Sequence, residues 1–214
     1  MKAEVLIEKK TGVYRLTRVL AFLAFHTVLP VKYHGAEKLR GAEGPMVLIS
    51  NHLHALDPFI LAYPIKDQCV FLAKKELAKN RFVTRLLTRL HCIFVDRHNA
   101  DMEAMRACMR TLKAGKTLII FPEGTRHHEG QMQQIENGTA LIVLRGKAPL
   151  IPFYLDRPLK LFRRVNAYVG DPIPYGDLLE RGVNMETCEE LNQRMRETYR
   201  EMIRASGKQP PEAA

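Results

Sequence analysis

Apolar residues fall in short, nearly unbroken runs along this chain. PMVLIS (45–50), QCVFLA (68–73), CIFVD (92–96), TLIIF (117–121), APLIPFYL (148–155) and NAYVG (166–170) are rich in Val, Ile, Leu and Phe, the pattern of strands covered on both faces. Between them the spacing becomes helical. Residues 11–29 carry Val13, Leu16, Leu20 and Leu23 on one face, and beyond Val19 the segment is apolar almost all round. In 78–90, Phe82, Leu86 and Leu90 share a face, while Arg81, Arg85 and Arg89 form a row whose mutual repulsion directs it to water, to acidic side chains or to an anionic surface. In 99–114 the spacing predicts a helix capped by Asn99 and ended by Gly115, with Met102, Met105, Met109 and Leu112 as its core stripe. Asn184 to Arg204 reads as a charged C-terminal helix. Strands alternating with helices predict an α/β fold: a single domain with a mainly parallel sheet flanked by helices, preceded by an N-terminal helical segment. The expected division is a helical segment at 1–35, the main domain at 36–206 and a disordered tail at 207–214.

The N-terminal segment admits two readings. VLAFLAFHTVLPV (19–31) is too short to cross a bilayer, which takes about 20 apolar residues. Glu4, Glu8 and the lack of a small-residue cleavage site argue against a signal peptide. The helix can pack on the domain, or it can lie in one leaflet with Arg15, Arg18 and Lys32 at the headgroups. Charge bears on the second reading: 33 Lys and Arg against 23 Asp and Glu give +10 over 214 residues, which favours anionic partners. Nucleic acid is not among those expected, since aromatics are few and no recognition motif occurs. Cys69, Cys92, Cys108 and Cys188 are scattered singly and read as buried, reduced thiols of a cytoplasmic protein.

The stretch ISNHLHALDPF (49–59) carries the first candidate chemistry. His52, His54 and Asp57 superficially resemble the H-x-H-x-D-H metal loop of metallo-β-lactamases, but the aspartate comes one residue late and Pro58 follows it. His127 and His128 stand beside Arg126, whose charge opposes a dication. In a second reading Asp57 caps a helix with Pro58 at its first position. In a third, a strand-to-helix turn folds Asp57 back onto His52, because a five-residue separation within one straight helix would leave the two about 140° apart. The carboxylate would then fix one ring nitrogen and leave the other as a base. No Ser or Cys nucleophile stands beside His52, so that base would act on a hydroxyl brought by a substrate.

TLIIFPEGTR (117–126) is the second. A buried run stops at Pro122. Gly124 permits close backbone approach, Thr125 offers a hydroxyl and Arg126 a planar fork, a combination suited to phosphate.

Taken together, NHLHALD and FPEGTR, about 70 residues apart, resemble the paired signatures of the glycerolipid acyltransferases, in particular the bacterial 1-acylglycerol-3-phosphate acyltransferases. FLAKKEL (71–77), IFVDR (93–97) and PLIPFYL (149–155) extend the resemblance over residues 10–175. The chain departs from the family pattern at His91, where glycine is usual, and at Ile135-Glu136-Asn137-Gly138, where Phe-Lys-x-Gly is usual. The resemblance implies that His52 deprotonates the acceptor hydroxyl and Asp57 orients His52. Arg97, Gly124, Thr125 and Arg126 would hold the phosphate, Glu123 the glycerol end, with Lys74 supporting the same pocket and Pro152 shaping its wall. It further implies acyl-CoA or acyl carrier protein as donor, a lysophospholipid acceptor and phosphatidic acid as product. No metal or other cofactor is implied, and the place of work is an anionic membrane surface on its cytoplasmic face, reached as a peripheral or monotopic protein. Glycerol 3-phosphate or another lysolipid as acceptor, a non-catalytic lipid-binding module and a metallohydrolase are the alternatives.

Overall fold

A computed structural model describes residues 12–39, 44–96, 101–124, 132 and 135–210. Seven strands, β1 (Val31–His34), β2 (Met46–Ser50), β3 (Cys69–Lys74), β4 (Cys92–Val95), β5 (Thr117–Ile120), β6 (Leu150–Leu155) and β7 (Val165–Val169), form one sheet in the order β1-β7-β6-β2-β5-β3-β4. Every neighbouring pair is parallel except β6 with β7. The expected α/β architecture with a mainly parallel sheet is therefore the observed one.

Alternation along the central strands divides the core in two. Val47 and Ile49 of β2, Leu118 and Ile120 of β5, and Leu150 and Tyr154 of β6 face α4 (Met102–Lys113), α5 (Asn137–Gly146) and α7 (Met185–Ala205). Leu48, Ile119, Ile151 and Phe153 face the other way, toward α1 (Gly12–His26) and α2 (Asp57–Ala62). Burial of each such aliphatic side chain is worth about 1.5–3 kcal/mol, which is why these runs occupy the middle of the sheet. Two further helices, α3 (Arg81–Arg89) and α6 (Gly176–Glu180), complete the fold. Asn80 caps α3 and Asn184 caps α7, the latter through a capping box with Thr187.

Several expectations shift. β1 was not anticipated: Val-Lys-Tyr-His is a four-residue edge strand, half-exposed and paired only with β7. Of the expected α4 stripe, Leu112 is buried and Met105 and Met109 pack at the edge of the core, but Met102 is exposed, and the small residues Ala104, Ala107 and Cys108 are buried beside them. The cap of α4 is Asp101, whose carboxylate accepts from the Ala104 N–H. Asn99 lies outside the described residues. The Arg81, Arg85 and Arg89 row is exposed, and Phe82 beside it is 78% exposed rather than packed. His91, standing where the resemblance led to glycine, has φ +61°. A turn that glycine fills without penalty is filled here by a buried ring lying edge-on to Tyr14, centroids 5.4 Å apart.

The N-terminal helix differs most. Its buried residues are Tyr14 and Phe25, and the stripe Leu16, Val19, Leu20 and Leu23 faces outward, each more than half exposed. Arg18 does not flank a membrane face. Its guanidinium turns inward and donates to the carbonyls of Ala62 and Ile65 at 2.9 and 2.8 Å and of Tyr63 at 3.2 Å. A cation here satisfies the orphan carbonyls at the end of α2 and meets the negative end of that helix. Arg18→Ala is expected to cost about 1.5–3 kcal/mol, the range for hydrogen bonds made by a charged donor, measured as a lower urea midpoint with an unchanged slope. An unchanged midpoint would show that α1 docks without it. Among the described residues no helix is long and apolar enough to cross a membrane.

Candidate active site

Ligand crevices in open α/β sheets form beyond the carboxyl ends of the strands, and His52, Lys74 and Glu123 gather at that end. The registers Ile49↔Ile120 and Phe71↔Ile119, counted forward, bring His52, Lys74 and the turn at Pro122 and Glu123 to the same edge of the sheet.

The segment from Asn51 to Asp57 is the tightest part of the site. α2 begins without a side-chain cap from Leu56, and Asp57 is not the cap that the Asp-Pro pair suggested. The Asp57 carboxylate instead folds back onto the loop before it. Its Oδ2 accepts from the backbone N–H groups of Leu53 at 2.6 Å and His54 at 2.7 Å, and lies 3.0 Å from His52 Nδ1. The carboxyl is fully buried, and Oδ1 has no hydrogen-bond partner among the described residues. An ionised carboxylate can only accept, so beside one the Nδ1 of a neutral imidazole would carry the proton and Nε2 the lone pair. The imidazole stacks on Phe121 with centroids 4.0 Å apart, which sets the ring plane while leaving the side chain 16% exposed. His54 is occupied locally, its Nδ1 accepting from the Leu56 N–H at 3.2 Å. Among the described residues no three side chains of His, Cys, Asp or Glu converge as a metal site.

Two supports were not apparent from the sequence. Asn51, buried beside His52, grips the end of β6 with both amide atoms: Nδ2 donates to the Leu155 carbonyl at 3.0 Å and Oδ1 accepts from the Leu155 N–H at 2.9 Å. The Tyr199 hydroxyl of α7 lies 2.8 Å from the Ile49 carbonyl and 2.7 Å from that of Phe153, joining β2 to β6 from below. Burial, reinforced by the nearby charge of Glu123, holds this phenol well above the ordinary tyrosine range, so it stays a donor. The only local signal was a polar residue ending an apolar run at Asn51.

The remaining candidates are placed as follows. Glu123 is buried in the turn after β5. Gly124 closes that turn, its N–H donating to the Phe121 carbonyl at 3.0 Å, and takes φ +69°, where glycine is unstrained. Lys74 ends β3, half-buried, with Nζ 3.5 Å from Glu76 Oε1. Pro152 is buried within β6, in register with Ile49. Arg97, Thr125 and Arg126, with His127 and His128, lie outside the described residues. None of the four cysteines is in a disulfide, and burial pushes the Cys92 and Cys108 thiols up to about 12.

Comparison with known proteins identifies the family. The acyltransferase family model matches residues 30–156, a span that runs from the end of α1 through β6. The 1-acyl-sn-glycerol-3-phosphate acyltransferase of Bacillus subtilis is 32% identical over 178 residues, covering 78% of this chain and 87% of that protein. The Streptococcus pneumoniae protein of the same name is 28% identical over 177 residues, 79% of this chain and 65% of its own length. The crystal structure of the 1-acyl-sn-glycerophosphate acyltransferase of Thermotoga maritima shares the fold, with a TM-score of 0.67 over 92% of this chain and 81% of that one at 21% identity. The chain belongs to the acyltransferase family and is an O-acyltransferase of the kind these relatives represent.

Proposed function

We propose that the enzyme moves an acyl chain from a thioester to the free hydroxyl of 1-acylglycerol 3-phosphate, making phosphatidic acid for phospholipid synthesis, with His52 as general base. The observation that carries this is the 3.0 Å contact between His52 Nδ1 and the buried Asp57 carboxylate. It supports an imidazole of one tautomer, held rigidly, with Nε2 toward the crevice. Nε2 takes the hydroxyl proton as the acceptor oxygen attacks the thioester carbonyl. The tetrahedral adduct collapses with loss of the thiolate, which recovers the proton from the imidazolium. Asp57 stabilises that transient cation. A thioester is activated enough that the scheme needs neither a covalent enzyme intermediate nor a cofactor.

In this reading Gly124, Thr125, Arg126 and Arg97 hold the acceptor phosphate, with Glu123 and Lys74 beside them. The donor is acyl-CoA or acyl carrier protein, and the basic surface of +10 suits an acidic carrier by steering. Residues 1–35 act as a membrane-associating segment of the 36–206 acyltransferase domain, on the cytoplasmic face. The outward stripe of α1, with Phe22 adding to it, is the exposed apolar surface that supports this.

The test is a transfer assay with 1-acylglycerol 3-phosphate, glycerol 3-phosphate and lysophosphatidylcholine as acceptors, each with both donors. The phosphomonoester lysolipid is expected to be preferred at least about ten-fold in kcat/KM, the value of one good anion contact. Preference for glycerol 3-phosphate or for the choline lipid would replace the acceptor assigned here.

A further inference from the structure

The turn between β6 and β7 carries a feature that the catalytic scheme does not use. Lys160 and Arg163 form an isolated antiparallel bridge, and the Arg163 N–H donates to the Lys160 carbonyl at 3.1 Å. Leu161 and Phe162 therefore stand at the tip of a two-residue turn, 67% and 76% exposed. Phe162 has φ +58°. Glycine or asparagine normally takes such a position, and a bulky residue there is strained. Strain of this kind persists where neighbouring structure enforces it, and it collects at functional positions. Here the Phe162 N–H donates to the Val28 carbonyl at 2.7 Å and the Val165 N–H to that of Pro30 at 2.9 Å, tying the turn to the chain just past α1. Lys160, Arg163 and Arg164 are exposed, and no Asp or Glu occurs between Asp156 and Asp171.

Placement gives the turn its meaning. It leaves β6 directly after Leu155, which Asn51 grips next to His52. The tip thus sits at the catalytic end of the sheet, and the Val28 carbonyl ties it to the chain two residues past α1. We propose that this turn is a second membrane-insertion point. Leu161 and Phe162 enter the acyl boundary of an anionic leaflet, Lys160, Arg163 and Arg164 meet its headgroups, and the two-point contact with α1 presents the His52 end of the sheet to the lipid. An apolar pair flanked along the chain by Lys160, Arg163 and Arg164, with no Asp or Glu from 157 to 170, is complementary to that surface. This rests on the reading of the chain as an enzyme that draws its acceptor from a bilayer.

The chain has no tryptophan, so Phe162→Trp creates a single reporter, and Met185→Trp at the far end of α7 serves as its control. With phosphatidylglycerol–phosphatidylcholine vesicles, the Phe162→Trp emission should shift to the blue and be quenched by acyl-brominated lipid, while Met185→Trp stays unchanged. Phe162→Gly relieves the backbone strain, so its Tm should equal or exceed that of the parent while vesicle affinity falls roughly ten-fold, the loss expected for one buried aromatic. Its turnover of a monodisperse short-chain acceptor should be unaffected. An unshifted Phe162→Trp spectrum, or full vesicle affinity in Phe162→Gly, overturns the insertion point while parent activity on vesicles leaves the acyltransferase reading standing. A blue shift that grows with protein concentration in the absence of lipid would assign the tip to a second copy and likewise overturn it. Failure of the parent itself to transfer acyl chains or bind vesicles would remove the reading beneath.

Discussion

His52→Ala is expected to lower kcat for acyl transfer by about 10²–10⁴-fold, the usual contribution of a positioned general base, while the protein stays folded. The two outcomes separate because His52 does little for stability. Its side chain is partly exposed and, among the described residues, makes one hydrogen bond, to a carboxylate oxygen that keeps two backbone donors when the ring is gone. Its stacking on Phe121 adds a modest contact. The net stability loss should be about 1 kcal/mol, a shift of a few degrees in the thermal midpoint. KM for the acceptor should move little, since the base touches the reacting hydroxyl and not the phosphate. The checks are steady-state kinetics with a circular-dichroism melt on the same preparation. Activity within ten-fold of the parent in a folded variant would take proton abstraction away from His52 and leave the FPEGTR turn as the only argument for the site.

What could be read in the sequence, and what could not, follows from where the information sits. The central strands were visible because covering both faces demands continuous apolar runs, whereas the cap of α4 is Asp101 and not the Asn99 that was expected. β1 escaped because an edge strand of alternating polarity, four residues long, carries too little periodicity. In α4 Met105 and Met109 pack on the core as their spacing suggested and Met102 does not, because helical spacing marks a face but does not say whether large or small residues touch the sheet. Close approach favoured Ala104, Ala107 and Cys108. In α1 the spacing of the apolar stripe was legible but not which side docks on the domain, since the buried face depends on Tyr14, Phe25 and an arginine that reaches 44 to 47 residues ahead. The same rule divides the site. His52 and Asp57 are five residues apart and one turn decides their contact. Asn51 and Tyr199 meet partners 104 and 150 residues away, and no local pattern encodes that.

Asp57 is where stability and catalysis should respond to different substitutions. Asp57→Ala removes the acceptor shared by Leu53 and His54, two backbone donors that α2 and the loop hold away from water. Each orphaned N–H costs about 1–3 kcal/mol, so a loss of roughly 2–6 kcal/mol is expected, large against the roughly 5–15 kcal/mol of a typical domain. Asp57→Asn can keep its carbonyl oxygen where Oδ2 stands, accepting from both N–H groups and from His52 Nδ1. Its amide nitrogen takes the place of Oδ1, which already lacks a hydrogen-bond partner among the described residues, so one unmet polar atom replaces another. The fold should therefore survive with a smaller loss. The charge 3.0 Å from the ring does not survive, and with it goes the stabilisation of the imidazolium formed as the hydroxyl attacks. A kcat about 10²-fold or more below the parent is expected for Asp57→Asn in a near-native protein, against a loss of folded material for Asp57→Ala. Urea denaturation and kinetics on the two variants make the comparison. If Asp57→Asn turned over at the parental rate, the carboxylate would be a structural clasp for the 51–57 loop and no part of the chemistry. A buried anion with one bare oxygen is a poor choice for a clasp alone, because a neutral amide serves the same two donors without the cost of desolvating a charge.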